Sequence, residues 1–293
     1  MTLPEAAGWT DLGGGVRVRQ SRAFMMNSCL LLDPEHSIVI DPGVLETELD
    51  DLARMERAAA PAATSLFLTH AHWDHVLGGP WWPGAETIAH DRFAGELKAD
   101  EARVLSEVRR IATEQGEAWS RGFTALKPRV AISGLHYTTR GPWHMVFRDA
   151  PGHCDSQLSL HLPDRSILIA ADMLSDVEIP ILNRPPAVYR KTLEPLLQLA
   201  ENGAVETLIP GHGSIAHGRD AALARIREDL AYLAELERRA LASRRGGQDA
   251  AQAADALDDM EYRGKRGGPF PMRDIHRDNV AIAWHAAGKP GRR

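Results

Sequence analysis

The chain has 293 residues, of which 44% are hydrophobic, and a formal net charge of -6. This length allows one large domain, or a domain with a small appendage, around a substantial core. The mild negative charge argues against a nucleic-acid partner, because domains that bind nucleic acids usually carry a basic surface. The two cysteines are too few for a disulfide framework. The N-terminus has no secretory signal and no stretch is apolar enough to span a bilayer, so we expect a cytoplasmic protein with no membrane partner.

The first part of the chain alternates short apolar segments with turn residues. Residues 1–14 are expected to form a loose lead-in. Apolar runs and alternation predict strands over residues 16–20, 27–32, 37–40 and 65–68. Asp41, Pro42 and Gly43 supply the turn chemistry that ends the third of these strands. Between the third and fourth strands, helical spacing predicts a helix over residues 45–60, which Pro61 ends.

Three histidines and an aspartate follow directly after the strand at residues 65–68, at His70, His72, Asp74 and His75. A single histidine is more often a surface or core residue than a ligand. Four such side chains packed closely without a partner would carry a large desolvation cost, which a divalent cation removes. Imidazole and carboxylate are also the ligands that zinc accepts. The pattern therefore predicts a metal site at the end of a strand.

Two adjacent tryptophans, Trp81 and Trp82, lie shortly after this cluster. Paired aromatic residues beside a metal loop could form an apolar wall of the substrate pocket. They could equally pack beneath the loop, because tryptophan is commonly buried without any role in ligand binding. The sequence leaves both interpretations open.

The rest of the chain contains further strands and four helical patterns. A charged helical insertion is expected over residues 92–121, interrupted at Gly116, either flanking the pocket or fully solvated. Further strands are predicted at residues 86–89, 143–148, 157–162, 166–170 and 205–209. Helices are predicted at residues 187–201, at 274–287, and at 220–244 with Asp220 as the N-cap. Residues 246–268 suggest a weakly structured connector or a short helix, and the chain from residue 261 onward is basic.

The pattern H-x-H-x-D-H after a hydrophobic strand resembles the signature of the metallo-β-lactamase-fold hydrolases. Further elements expected of that family occur in the right order. They are Ile38–Gly43 upstream and, downstream, Ala150–His153, Ala171–Asp172 and Pro210–Gly213. The resemblance implies an α/β (α+β) fold, a four-layer αβ/βα sandwich. It also implies a catalytic domain over residues 1–245, with the 92–121 insertion near the pocket, and a short helical C-terminal extension over residues 246–293.

The resemblance also implies a set of ligands and a cofactor. His70, His72 and His153 match one metal site, and Asp74, His75 and His212 match a second. Asp172 matches the carboxylate that bridges the two metals, and Asp41 matches an aspartate that supports the metal loop from behind. Two zinc ions per chain are expected, although the ligand types also accept iron or manganese. Asp74 is the predicted catalytic residue, which orients a metal-bridging hydroxide and moves its proton.

The expected function is a dinuclear zinc hydrolase that cleaves a small ester, thioester or lactone, similar to the glyoxalase II and lactonase-like hydrolases. Two alternatives are a phosphodiesterase or nuclease of the same fold and a mononuclear iron dioxygenase of the persulfide type. The expected partner is a small-molecule substrate, and apolar stripes on the terminal helices would also suit a homodimer. Two positions depart from common family residues, because Cys154 replaces threonine and Ala171 replaces glycine.

Overall fold

The computed structural model describes residues 8–266 and 268–288. Within them the fold is mixed α/β, with two main sheets and six α-helices. The chain divides into two compact units. The first runs up to Asp149 and includes Ser156–Arg165, and the second comprises Ala150–Asp155 and the described residues from Ser166 onward. The expectation for residues 1–7 and part of that for the basic C-terminus lie outside the described residues.

A seven-stranded sheet is the centre of the first unit. In order across the sheet its strands are β1 (Gly8–Gly13), β2 (Val16–Gln20), β3 (Asn27–Leu31), β4 (His36–Ile40), β5 (Ala63–Phe67), β6 (Glu86–His90) and β7 (Val130–Ile132). The pairs from β1 to β4 are antiparallel, and those from β4 to β7 are parallel. Because β4 and β5 are parallel neighbours, the residues that follow them meet at one edge of the sheet.

Two helices and three further strands complete the first unit. The helices are α1 (Glu46–Ala58) and α2 (Phe93–Glu114), and the strands are β8 (Leu135–Arg140), β9 (Trp143–Asp149) and β10 (Leu158–Leu162). The three strands form an antiparallel meander. Apolar residues of α1, α2 and the sheet share one core with residues of the loop that follows β5. This core holds the histidine-bearing loop against a rigid scaffold.

The second unit contains the other four helices and the remaining strands. These are β11 (Ile167–Ile169), α3 (Pro186–Glu201), β12 (Thr207–Ile209), β13 (Ala216–His217), α4 (Arg219–Arg245), α5 (Ala250–Ala256), β14 (Glu261–Tyr262), β15 (Lys265–Arg266) and α6 (Arg273–Ala286). Strands β11 and β12 are parallel neighbours. One apolar core joins α3 and α4 to residues of the C-terminal segment, such as Leu257, Met272 and Val280.

Several elements differ from the sequence prediction. The lead-in was expected to be loose, yet Gly8–Gly13 pairs with β2, because three glycines with positive φ at positions 13, 14 and 15 make the tight turn between the strands. The insertion is helical only to Glu114, and Gly116, at φ 75°, follows the end of the helix. Helix α4 has Gly218 as its N-cap, so Asp220 lies in the first turn instead.

Of the two possibilities for residues 246–268, a weakly structured connector or a short helix, the structure has the short helix α5, which begins with a reciprocal capping box between Asp249 and Gln252. The proposed boundary after residue 245 falls between α4 and α5 and stays a prediction. Among the described residues, no helix is both long enough and apolar enough to cross a membrane.

Candidate metal centre

A buried carboxylate, Asp41, organises the first half of the candidate centre. It follows β4, and its Oδ1 accepts the backbone N–H of Thr69, which follows β5, at 2.8 Å. Its Oδ2 accepts the Thr69 hydroxyl at 2.6 Å and lies 2.9 Å from Nδ1 of His75. The Thr69 oxygen lies 3.0 Å from Nδ1 of His70. One side chain therefore fixes the loop and, directly or through Thr69, two of its imidazole rings.

These contacts define the tautomers of both rings. A carboxylate only accepts, so the Nδ1–H of His75 donates to Asp41. The Thr69 hydroxyl donates its proton to Asp41, so His70 donates its own Nδ1–H to the Thr69 oxygen. Each ring then presents Nε2 with a lone pair, which is the form a metal ligand requires. Histidines that bind a metal typically donate their other ring N–H to an oxygen acceptor in this way.

The remaining motif residues lie close to these two rings. The ring centre of His70 lies 4.6 Å from that of His72 and 4.1 Å from that of His75. Asp74 is buried, and its Oδ2 lies 3.7 Å from Nε2 of His75. The loop thus concentrates three imidazoles and a carboxylate, as expected for a metal-binding loop.

The second unit carries the other three predicted ligands. Asp172 follows β11 and His212 follows β12, and because these strands are parallel neighbours the two residues emerge side by side. His212 Nε2 lies 3.6 Å from Asp172 Oδ1, and His153 Nε2 lies 3.3 Å from Asp172 Oδ2. His153 turns its Nδ1–H toward the carbonyl of Ile181 at 3.3 Å, which again leaves Nε2 for a metal.

The backbone around Asp172 and His212 is tightly constrained. Ala171 has φ 53°, a left-handed conformation that glycine adopts more easily, which fits the glycine that the family resemblance leads us to expect at this position. The backbone N–H of Gly211 donates to the carbonyl of Ala171 at 2.6 Å. A Cβ at Gly211 would lie 2.1 Å from Asp172 Oδ1. Only glycine leaves room for this carboxylate.

The donor set fits divalent metal ions. All seven predicted ligands lie in clusters of histidine and aspartate side chains that can hold a metal ion. Five imidazoles and two carboxylates suit zinc, and the type of ligand does not exclude iron or manganese. The other described histidines show no such clustering; His276, for example, contacts Tyr232 and the Leu257 carbonyl in the core.

The two tryptophans after the motif are both almost fully buried. Trp81 donates its indole N–H to Asp50 at 2.7 Å, and Trp82 donates to Glu56 at 3.3 Å. Both belong to the apolar core of the first unit. These contacts favour the interpretation that the pair packs beneath the loop, and a role in the pocket stays a prediction.

A different aromatic pair lies on the surface beside the motif. Phe24 is 36% exposed, and its ring makes an edge-on contact with Trp73, with ring centres 6.3 Å apart. Trp73 lies between His72 and Asp74 in the chain and packs over Ala23 and Met26. Phe24 also has φ 55°, a strained conformation for a bulky residue. The sequence interpretation missed this pair, although an aromatic residue inside a metal motif was a usable signal.

Both cysteines are buried. Cys29 lies on β3, where burial and then the nearby Asp41 raise the pKa of its thiol. Cys154 follows His153 and is 2% exposed, so it packs as a small buried residue.

Comparison with known proteins identifies the family. The model of the metallo-beta-lactamase superfamily matches residues 22–212, about two thirds of the chain, and spans all seven predicted ligands. The chain belongs to the metallo-β-lactamase superfamily. The predicted family and the mixed α/β fold class are thereby confirmed.

Relatives with assigned activities support a hydrolase. The chain is 26% identical over 224 residues to the acyl-coenzyme A thioesterases MBLAC2 of Bos taurus and Homo sapiens, which covers 69% of this chain and 79% of each relative. The prediction of a metal-dependent hydrolase is confirmed by this relationship together with the family and the ligand clusters.

Solved structures show the same fold. The sec-alkylsulfatase Pisa1 from Pseudomonas sp. superposes with a TM-score of 0.74 at 14% identity, covering 96% of this chain. This chain covers only 50% of the length of that structure. A metallo-beta-lactamase family protein from Thermus thermophilus gives a TM-score of 0.65 at 19% identity, with 93% of each chain covered.

Proposed function

We propose that the protein is a dinuclear zinc hydrolase that cleaves an acyl thioester. The similarity to acyl-coenzyme A thioesterases along most of the chain, together with the full set of seven ligands, carries this proposal. His70, His72 and His153 would hold one ion, Asp74, His75 and His212 the other, and Asp172 would contact both. Esters and lactones are the related substrate classes, because they also present a carbonyl carbon to the attacking water.

Bound divalent ions would lower the pKa of a water molecule and so supply a nucleophile at neutral pH. The chain's own contribution is to place the ligands and to handle protons. Asp41 holds His75 directly and His70 through Thr69, each in the orientation that presents Nε2. The Ile181 carbonyl does the same for His153. Asp74 is the acidic side chain of the motif loop, and we assign to it the orientation of the attacking water and the acceptance of its proton.

The surface pair Phe24 and Trp73 supports an apolar acyl group as part of the substrate. Two aromatic rings that remain partly exposed beside a polar loop provide a surface that an alkyl chain can cover. The left-handed backbone at Phe24 is the kind of local strain that concentrates at functional sites. We therefore assign this pair to recognition of the acyl chain.

The test has two parts. The protein is purified without added metal and its metal content is determined by elemental analysis, with about two zinc ions per chain expected. Thiol release from acyl-coenzyme A thioesters of graded chain length is then followed, with simple esters and lactones as comparison substrates. The variant Asp74→Asn should lose most of the activity, whereas Asp33→Asn, on the turn after β3, should keep it.

Two results would contradict the proposal. Metal-replete protein that cleaves phosphodiesters but no acyl substrate would favour a phosphodiesterase. Close to one iron per chain, together with oxygen consumption on a persulfide substrate, would favour a dioxygenase.

A further inference from the structure

Arg225 is a buried residue of α4 whose guanidinium contacts two loops of the second unit. Its Nη1 donates to the carbonyl of Leu174 at 3.0 Å, and its Nη2 donates to the carbonyl of Ser214 at 3.2 Å. Leu174 lies two residues after Asp172, and Ser214 lies two residues after His212. A single planar side chain therefore links the two loops that carry these candidate ligands.

Asp176 completes the link from the other side. Its Oδ2 lies 3.0 Å from Nη2 of Arg225, and its Oδ1 accepts the backbone N–H of Ser214 at 2.8 Å. Gly213, at φ 99°, allows this close approach, because a Cβ there would lie 2.3 Å from Asp176 Oδ1. Arg225 and Asp176 together form what we call the loop clamp.

The chemistry of the loop clamp makes it rigid. A guanidinium presents its N–H groups in a fixed plane, so two carbonyls and a carboxylate bound to it cannot shift independently. A buried charge that loses its partners also carries a large free-energy cost, so undocking of either loop from Arg225 is disfavoured. His212 and Asp172, whose Nε2 and Oδ1 atoms are 3.6 Å apart, lie on the two loops that the loop clamp joins.

We propose that Arg225 and Asp176 are positioning residues that set the affinity of the metal site containing His212. The inference rests on the proposed function, because it takes Asp172 and His212 as metal ligands. Ligand placement must be accurate to about 0.5 Å for tight binding. Release of the clamp should therefore weaken the His212 site, which takes both His212 and Asp172 from the clamped loops, more than the site of His70, His72 and His153, which takes only Asp172 from them.

The experiment measures metal affinity rather than activity. Metal-free protein is titrated with Zn²⁺ in the presence of a competing chelator, and with Co²⁺ followed by its visible absorption, to obtain two dissociation constants. The dissociation constant that His212→Ala raises most belongs to the site containing His212. Arg225→Met should raise that constant by about 10- to 100-fold, the usual effect of losing support behind a ligand, and change the other constant less. Arg225→Lys, which keeps the charge but loses the planar fork, should fall between Arg225→Met and the wild type.

The matched control is Arg219→Met, on the same helix. Arg219 also donates to two backbone carbonyls, those of Ala200 and Glu201, but these lie in a segment without ligands. It should leave both dissociation constants within about twofold of the wild type. Asp176→Asn keeps an acceptor for Ser214 and tests the same contact if Arg225→Met fails to fold.

The outcomes distinguish this inference from the proposed function. A selective loss of affinity at the site containing His212 in Arg225→Met or Asp176→Asn, absent in Arg219→Met, supports the inference, and a loss confined to the other site overturns it. Two unchanged constants in a folded Arg225 or Asp176 variant, or an equal loss in Arg219→Met, overturn it. A wild type that binds fewer than two ions overturns both this inference and the dinuclear proposal. A wild type that binds two ions but cleaves no thioester overturns the proposed function alone.

Discussion

Asp41 is the single residue that supports two candidate ligands at once. It accepts from Thr69 and His75, and through Thr69 it also orients His70. The carboxylate lies in a left-handed turn, at φ 45°, directly after β4. Aspartate tolerates this conformation better than most residues, so backbone and side-chain requirements coincide there.

We expect Asp41→Asn to lower zinc affinity by about 10- to 100-fold, because an uncharged amide holds the two imidazoles less firmly. The fold should also lose about 1–3 kcal/mol, as buried hydrogen bonds are weakened. Chelator competition measures the affinity, and thermal unfolding of metal-free protein measures the stability. Asp33→Asn serves as control. Unchanged zinc affinity in Asp41→Asn would show that the hydrogen bonds of Asp41 do not hold His70 and His75 in place for the metal.

Gly211 tests the placement of Asp172. Gly211→Ala puts a methyl group where the Asp172 carboxylate lies, at 2.1 Å from Oδ1, so the carboxylate or the loop must move. We expect at least about a tenfold loss of hydrolysis, equivalent to 1.4 kcal/mol, and a lower metal content. Gly122→Ala is the control, because a Cβ there meets nothing within 4 Å. Full metal content in Gly211→Ala would contradict the assigned role of Asp172.

Phe24 tests the assigned acyl surface. Phe24→Ala should raise KM for long-chain thioesters by about tenfold, through lost apolar contact, and leave kcat and short-chain substrates nearly unchanged. Tyr137→Ala removes another exposed aromatic residue of the same unit, on β8, and should have no effect. An equal change in KM for acyl chains of all lengths would mean that Phe24 does not contact the acyl chain.

At the scale of elements, α4 places charged residues inside the protein. Arg225 and Asp229 are one helical turn apart and share the buried face with Leu233 and Ile226. Asp229 accepts the Tyr262 hydroxyl at 2.6 Å and the Leu174 N–H at 3.1 Å, so α4 joins the C-terminal segment to the loop after Asp172. The apolar spacing of α4 was sufficient to predict the helix, but not that polar residues would lie on its buried face.

Asp229 should make stability depend on pH. Burial raises the pKa of its carboxyl from 3.8 to about 7. Hydrogen bonds from Tyr262 and Leu174 lower this pKa, and smaller electrostatic effects come from Glu228, which raises it, and Arg225, which lowers it. Between about pH 4 and pH 7 the folded protein keeps a proton that the unfolded chain has lost. Stability should therefore fall as pH rises through this window, by up to about 1.4 kcal/mol per pH unit from this group, and then level off.

The corresponding variant is Asp229→Asn. It should be less stable than the wild type near pH 4, because one hydrogen bond is lost, but its stability should decline less between pH 4 and pH 7. Urea unfolding at a series of pH values provides the measurement. Parallel pH profiles for the two proteins would exclude Asp229 as the titrating group.

For the whole molecule, the sequence predicted the family, the strands that precede the ligands and the seven candidate ligands, because each motif follows an apolar run. It missed β1, β7, β8 and the two-residue strands β13, β14 and β15, all of which carry exposed residues and are formed by pairing with neighbours. It also missed Arg225 and Phe24. Their roles depend on which distant segments they contact, and the spacing of residues along the chain does not predict those contacts.

The predicted domain boundary can be tested by truncation. Residues after 245 contribute Leu257, Met260, Met272 and Val280 to the core of the second unit, and Asn279 binds the Pro180 carbonyl and the Leu182 N–H. Each fully buried side chain of this kind stabilises by about 1.5–3 kcal/mol, so a chain ending at residue 245 should lose cooperative unfolding. Circular dichroism during heating is the measurement. A truncated protein that still melts cooperatively near the wild-type temperature would instead support an independent catalytic domain.

The two buried cysteines have a practical consequence. Cys29 lies in the first compact unit and Cys154 in the second, and both are shielded from solvent. A thiol reagent can modify either residue only after its surroundings open, so the labelling rate at each position measures local opening of one unit. The protein therefore carries a natural reporter in each of its two compact units. Mass spectrometry could follow both reporters without any engineered label.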